Sequence, residues 1–221
     1  MGGSVIVPDM PGHPGTEAGR RRVIAPYVTA WSAEQDPPVE MVERLGGGVG
    51  YRDEVVADRD RRGVLWFRTP FRPGEGRPVF GRVHPARQRR AMQRLLCQVC
   101  AGPADRTEGG VLWLMTDHRE DWPSWPDGMG MTEPPVCVPC VGLSVRLCPA
   151  LRTRAVVVRA RTYPIAGVHG GLYRAGSRGP VPVGEAVVAF DDPAIRWVRA
   201  VSLVRQLRDC TIIPIAELAG T

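Results

Sequence analysis

The chain has 221 residues, 43% of them hydrophobic, so it can bury a real core, and we interpret it as one domain with sub-modules. Its formal net charge is +6, and because every basic residue is an arginine, the basic surface favours oxyanions such as carboxylates and phosphates. No run is apolar enough to cross a membrane, and the first residues lack the features of a secretory signal, so a cytoplasmic protein is predicted.

The amino-terminal third is predicted to contain a tail and a strand-rich part. Residues 1–22 are rich in Gly, Pro and charge, which is typical of a flexible tail. The strand-rich part spans residues 23–81, with a short helix over 37–45 that three glycines terminate. Its strands are predicted over 23–31, 63–68 and 77–83.

A basic amphipathic helix is predicted next, from His84 and Pro85 to about Leu96, since proline suits the first helical turn. Its apolar face carries Met92, Leu95 and Leu96. Its basic positions, at i, i+3 and i+7 spacing, are Arg87, Arg90 and Arg94. If the apolar face is buried, the arginines point outward, which predicts a phosphate-binding surface for nucleic acid; a merely solvated face is the alternative.

Two CxxC pairs follow, with 36 residues between them, and they form the strongest motif of the chain. The pairs are Cys97 with Cys100 and Cys137 with Cys140. Two such turns can complete the tetrahedral thiolate cage of a structural zinc, so one Zn²⁺ per chain is predicted. Buried thiols or a redox pair are the alternatives. The two remaining cysteines, Cys148 and Cys210, are interpreted as buried core residues. In the alternative, Cys148 substitutes for one of the four metal ligands.

The segment between the two pairs holds a predicted strand over 110–115 and then an acidic loop over 117–133. This loop contains Trp122 and Trp125, which are candidate contacts for a protein partner. Alternatively, the acidic loop folds back on the arginine surface of the protein itself. With a short helix over 141–148, these elements complete a predicted zinc module over 82–150.

Residues 151–221 predict a carboxy-terminal α+β segment packed on the rest. Strands are predicted over 155–163 and 185–190, around a glycine-rich stretch interpreted as a flexible hairpin tip. A helix from Pro193 to Arg208 follows, capped by Asp191 or Asp192, with a buried stripe formed by Trp197, Val198, Val201 and Val204. A last strand is predicted over 211–218.

The order "CQVC", "TDH" and "CVPC" resembles treble-clef zinc modules and, more faintly, HNH endonucleases that carry an accessory four-cysteine zinc site. In such nucleases an acidic residue and a histidine bind a catalytic metal, roles that the resemblance would assign to Asp117 and His118. The chain departs from that pattern, because Val141 rather than histidine follows Cys140 and the loop contains no asparagine. The pattern also looks like uncharacterised zinc-cysteine proteins of high-GC Gram-positive bacteria.

Together these features predict an α+β fold with a central treble-clef-like zinc module. The function that they favour is a non-enzymatic, zinc-stabilised protein that binds DNA or is regulatory. The alternatives are a protein-interaction adaptor, which would use the loop over 117–133, and a degenerate HNH-like nuclease. No membrane association is predicted.

Overall fold

The computed structural model of the protein describes residues 25–220, so the predicted tail over 1–22 lies outside the described residues. In chain order the elements are β1 (Thr29–Trp31), β2 (Met41–Glu43), β3 (Val49–Tyr51), β4 (Leu65–Trp66), β5 (Pro78–Val83), α1 (Pro85–Arg94), β6 (Arg106–Thr107), β7 (Gly110–Thr116), β8 (Gly130–Met131), α2 (Val138–Leu147), β9 (Ala155–Thr162), β10 (Ile165–Arg174), β11 (Val181–Ala189), β12 (Val198–Gln206) and β13 (Arg208–Ile213). Short 3-10 helices lie at Val56–Asp58, Pro193–Trp197 and Ile215–Gly220.

The predicted α+β class is wrong, because strands dominate the described residues and only two α-helices, of ten residues each, occur among them. The larger sheet has the order β11-β10-β12-β4, and β8 also pairs with β12. The second sheet has the order β13-β9-β7-β6, and two small pairs, β1-β5 and β2-β3, complete the set. Neither α-helix approaches the roughly 20 apolar residues of a bilayer crossing, so the described part of the chain contains no candidate membrane-spanning helix.

The four-stranded sheet separates two apolar cores. Along β7 the side chains of Val111, Trp113 and Met115 enter the larger core, which the five-stranded sheet and α1 also line. The intervening Leu112 and Leu114 enter the smaller core, which contains Cys97 and Cys140. Because strand side chains alternate between faces, a continuous apolar run such as β7 is buried on both sides. The cysteine-containing segments therefore cover the face of this sheet that is turned away from the larger core.

The predicted treble-clef arrangement is also not formed as a separate module. One cysteine pair lies on the loop after α1, and the other lies at the start of α2. The strand between them, β7, pairs along its length with β9, while its pairing with β6 involves only two residues of each strand. The segment over 82–150 thus contributes β6 and β7 to this sheet, and residues after 150 contribute β9 and β13.

Two helices predicted from the sequence are strands in the structure. The predicted helix from Pro193 to Arg208 is a 3-10 turn followed by β12, although Asp192 does cap the turn by accepting from the Ala194 N–H at 2.8 Å. β12 is buried on both faces and is rich in valine, whose branched side chain favours a sheet position. The predicted helix over 37–45 instead contains β2, which forms a hairpin with β3 across three glycines.

The glycine-rich stretch interpreted as a hairpin tip is mostly β10, an interior strand of the larger sheet. Its glycines allow neighbouring backbones to approach closely. A Cβ at Gly170 would lie 2.2 Å from the Arg199 carbonyl oxygen, and one at Gly167 would lie 2.3 Å from that of Val188. The absence of a Cβ at these positions therefore permits the close pairing of β10 with its neighbours, and the interpretation as a flexible hairpin tip is wrong.

The predicted basic helix is confirmed as α1, which Leu95 ends in the left-handed conformation at φ 51°. Two buried polar side chains join it to β12. The Gln88 amide donates to the Leu203 carbonyl at 2.9 Å and accepts from the Leu203 N–H at 3.0 Å. Arg205 donates from Nη2 to the Met92 carbonyl at 2.7 Å, which satisfies an oxygen in the last turn of the helix. α1 is consequently fixed in position beside the cysteine loop that follows it.

Candidate metal centre

The first cysteine pair lies in a tight loop directly after α1. The Cys97 N–H donates to the Gly102 carbonyl at 2.7 Å, and the Ala101 N–H donates back to the Cys97 carbonyl at 2.9 Å. Ala101 has a φ of 61°, the left-handed conformation that such a reversal requires. The chain therefore folds back within five residues, and Cys97 and Cys100 present their thiols to the same side.

The second pair lies at the amino-terminal end of α2. Cys137 is the N-cap residue, and the Cys140 N–H donates to the Cys137 carbonyl at 3.0 Å. A helix N-terminus favours negative charge, so it stabilises thiolates at these positions. The segment before α2 is held to the first loop by the Gln98 N–H, which donates to the Pro135 carbonyl at 2.9 Å. This hydrogen bond brings the two CxxC turns together, although they are far apart in the sequence.

The four Sγ atoms form one compact cluster. All of them lie within 4.8 Å of one another, and Cys100 Sγ is 3.7 Å from Cys137 Sγ. A tetrahedral zinc with bonds of about 2.3 Å to sulfur requires S···S distances of about 3.8 Å. The donor set and its dimensions thus fit a tetrahedral ion with thiolate ligands, and these residues could hold one metal ion.

The protonation behaviour of the cluster also favours a cation. The hydrogen bond from the Cys140 thiol, together with backbone N–H donors, lowers the pKa of Cys97 to about 5 despite its burial. Burial and the nearby Cys97 charge raise the pKa of Cys137 to about 11, and the hydrogen bond to Cys97 raises that of Cys140. The Cys97 thiolate forms readily and opposes ionisation of Cys137 and Cys140. A divalent cation would remove this repulsion and allow all four to ionise.

Such a site would have a structural role, because four thiolates occupy all the positions of a tetrahedral ion and leave none for substrate or water. Cys97 is fully buried and Cys140 is 4% exposed, and both belong to the smaller core. Cys148 ends α2 and is outside the cluster. Cys210 packs against the larger core, and burial raises its pKa to about 12, as expected for a thiol with an apolar packing role.

The residues that the HNH resemblance suggests lie elsewhere, beside a shallow pocket of about 320 Å³. The Asp117 carboxylate accepts from Arg119 Nε at 2.8 Å, and this contact lowers its pKa. His118 Nδ1 is 3.1 Å from an Asp121 carboxylate oxygen. Over residues 25–220, the four cysteines are the one group of three or more His, Cys, Asp or Glu side chains that could hold a metal ion. Asp117 and His118 are therefore each engaged by a neighbouring side chain.

The predicted outward position of Arg87 is wrong. This side chain is 1% exposed and forms two hydrogen bonds with the fully buried Glu34 carboxylate, at 2.7 and 2.6 Å. It cannot contact a phosphate. Arg90 and Arg94 are exposed as predicted, and Arg90 donates to the Tyr27 hydroxyl at 3.0 Å. The sequence signal for Arg87 was misleading because a guanidinium and a polar Gln88 occupy the inner face of α1, where apolar residues were expected.

Sequence reasoning missed Arg89, which lies beside Arg90 on the same helix. Its guanidinium stacks over the Trp66 ring at 4.5 Å from the centroid, and the side chain is half-buried. The only signal in the sequence is its position: if Ala91 and Met92 define the buried face of α1, Arg89 lies at the edge of that face. No motif identifies it.

Of the two tryptophans predicted to contact a protein partner, Trp125 is buried in the protein and Trp122 is partly buried. Trp125 is 7% exposed and belongs to the larger core, while Trp122 packs against that core and donates to the Asp127 carbonyl at 3.2 Å. The acidic loop over 117–133 folds back on β12 and β13, where the Asp127 carboxylate accepts from the Cys210 N–H at 3.2 Å. Of the two interpretations of this loop, the structure favours the one in which it contacts its own protein.

Comparison of the chain with protein-family models, with curated proteins and with solved structures gives no match. The resemblances to treble-clef modules, to HNH endonucleases and to proteins of high-GC Gram-positive bacteria are therefore without support from a relative.

Proposed function

We propose that the protein is a non-enzymatic, cytoplasmic DNA-binding protein whose fold one structural Zn²⁺ stabilises. The observation that carries the zinc assignment is the cluster of four Sγ atoms within 4.8 Å. An all-thiolate tetrahedral set suits zinc, whose closed sites contribute directly to folding free energy. Reduced thiols in such a site are compatible with a cytoplasmic location. The zinc would hold the cysteine loop and α2 against the four-stranded sheet.

The exposed arginines of α1 support the DNA-binding part of the proposal. Arg90 and Arg94 lie one helical turn apart on the outer surface, and α1 contains no acidic residue. Within residues 25–220, neither guanidinium forms an ion pair with a carboxylate, and the Tyr27 hydroxyl that accepts from Arg90 is neutral, so both positive charges remain available to phosphates. Arginine is suited to this role because its planar fork matches phosphate oxygens.

The zinc part is tested by elemental analysis of the purified protein, where we expect one zinc per chain. Fewer than half an equivalent in fully folded protein would refute it. The DNA part is tested by measuring the affinity for duplex DNA at several salt concentrations, for the wild type and for an Arg90→Gln, Arg94→Gln variant. Each lost phosphate contact should flatten the slope of log affinity against log salt by about 0.9.

The matched control is Arg178→Gln, because Arg178 is equally exposed but lies in the β10–β11 hairpin loop, remote from α1 along the chain. It should leave the slope unchanged. If the wild type does not bind duplex DNA, or if the α1 variant and the control behave alike, α1 is not a DNA-binding surface.

A further inference from the structure

A groove of about 610 Å³ lies beside α1, and its lining includes neither the four cysteines nor the exposed Arg90 and Arg94 of α1. Four arginines line it: Arg59, Arg61 and Arg62 from the segment before β4, and Arg89 from α1. Its apolar lining includes Ile165 at the start of β10 and Phe190 just after β11. The volume falls in the range of about 300–1,000 Å³ that is typical of small-molecule sites.

The groove has an excess of positive charge that its one acidic residue does not neutralise. The Asp60 carboxylate accepts from the backbone N–H groups of Arg62 and Val64 at 2.9 and 3.1 Å, and from Trp66 Nε1 at 3.1 Å. These contacts fix the loop that presents Arg61 and Arg62. The Arg59 guanidinium is paired with the Glu54 carboxylate at 2.7 Å, but within residues 25–220 the guanidinium groups of Arg61, Arg62 and Arg89 form no ion pair with a carboxylate. Their donors remain available to an anion.

The groove also offers flat surfaces for stacking. The Arg62 guanidinium lies over the Phe190 ring at 4.4 Å from its centroid, and Arg89 lies over Trp66 at 4.5 Å. Arginine stacked on an aromatic ring presents a planar, cationic face on which a nucleobase can stack in turn. Burial also lowers the pKa of Arg89, since water is partly excluded around its charge, and a bound anion would offset that cost.

We propose that this groove binds a nucleotide unit, with its phosphate held by Arg61 and Arg89 and its base stacked against Arg62 and Phe190. The unit is either a free nucleotide or one residue of a single strand, whose unpaired base is free to enter the groove. This inference goes beyond the proposed function, because Arg90 and Arg94 could contact a duplex without the groove.

The test uses the full-length protein with adenosine 5′-monophosphate, a short oligodeoxythymidine and inorganic phosphate as separate probes, titrated by calorimetry. The wild type should bind the nucleotide or the oligonucleotide more tightly than inorganic phosphate. The Arg61→Gln, Arg89→Gln variant should lose about tenfold or more in affinity, because charge-assisted hydrogen bonds to the phosphate disappear.

Two further variants keep the test decisive. Arg61 is exposed, so Arg61→Glu should weaken binding without altering the circular dichroism spectrum, even if the double variant folds poorly. Phe190→Leu should weaken binding of the base-containing probe and leave inorganic phosphate unaffected. The control Arg178→Gln lies about 30 Å from Phe190, at the other end of the nine-residue strand β11, and should bind like the wild type.

Tighter binding of the oligonucleotide than of the mononucleotide would identify a single strand as the ligand, and equal binding would identify a free nucleotide. Equal affinity for inorganic phosphate and the base-containing probes would refute base recognition. Wild-type affinity in Arg61→Glu would refute the groove itself. The proposed duplex binding is tested separately, by the slope of log affinity against log salt for the Arg90→Gln, Arg94→Gln variant.

Discussion

The ion pair between Arg87 and Glu34 is a buried structural contact, and its removal should destabilise the protein strongly. Glu34 accepts two hydrogen bonds from Arg87 and one each from the backbone N–H groups of Trp31 and Arg72, at 2.8 and 2.9 Å. Burial raises the pKa of Glu34, but these contacts outweigh it and hold the pKa at about 2, against an ordinary value of 4.5.

Arg87→Met should therefore cost about 3–5 kcal/mol at pH 7, the usual cost of leaving one partner of a buried pair uncompensated. The pKa of Glu34 gives the combined magnitude of its contacts with Arg87 and with the Trp31 and Arg72 backbone N–H groups. A lowering from 4.5 to about 2 corresponds to about 3 kcal/mol of stability, at about 1.4 kcal/mol for each pKa unit. Because the folded pKa is depressed, this contribution is complete above pH 4.5 and is lost as the pH falls towards 2.

The measurement is urea unfolding of the wild type and Arg87→Met at pH 7 and pH 3. The difference in the free energy of unfolding should shrink to about 1 kcal/mol at pH 3, where the Glu34 of the variant is protonated and the wild-type contribution is partly lost. The double variant Arg87→Met, Glu34→Gln should recover part of the loss at pH 7, because it removes the unpaired buried charge.

The matched control is Arg90→Met, which changes the exposed neighbour in the same helix and should alter stability by less than about 0.5 kcal/mol. If Arg87→Met were as mild as this control, or if its cost did not depend on pH, the buried ion pair would not contribute as described.

The remaining predictions concern the metal, the suggested nuclease and the packing. Cys100→Ser should release the zinc and unfold at least the region around α2, since a structural zinc contributes on the order of 10 kcal/mol; Cys210→Ser should keep one equivalent of metal by elemental analysis. Plasmid DNA incubated with the protein and Mg²⁺ or Mn²⁺ should remain intact, and nicking that His118→Ala abolishes would contradict this expectation. Trp125→Ala should cost about 3–5 kcal/mol in chemical unfolding, as for other buried aromatic residues, whereas a partner-contact role predicts almost no change. Gly170→Ala should cost about 1–3 kcal/mol, because its Cβ would meet the Arg199 carbonyl; a neutral effect would show that the β10–β12 pairing tolerates a wider spacing.

The sequence alone determined the features that depend on short-range geometry. A CxxC turn brings its two thiols together whatever surrounds it, so the pairs at Cys97 and Cys137 could be recognised as one candidate site, and the structure brings their Sγ atoms within 4.8 Å. The helix beginning at Pro85 and the apolar strand over 110–115 were identifiable for the same reason. In each case the residues that indicate the structure lie within a single helix, strand or turn.

Only the tertiary structure decided the class of fold and the inner face of α1. The valines of β12 fit a helical stripe as well as a strand, and pairing with β10, β4 and β8 selected the strand. Arg87 is buried because Glu34, 53 residues away, supplies the compensating carboxylate. Such partners are set by packing between distant segments, and a local pattern of charges and apolar residues contains no information about them.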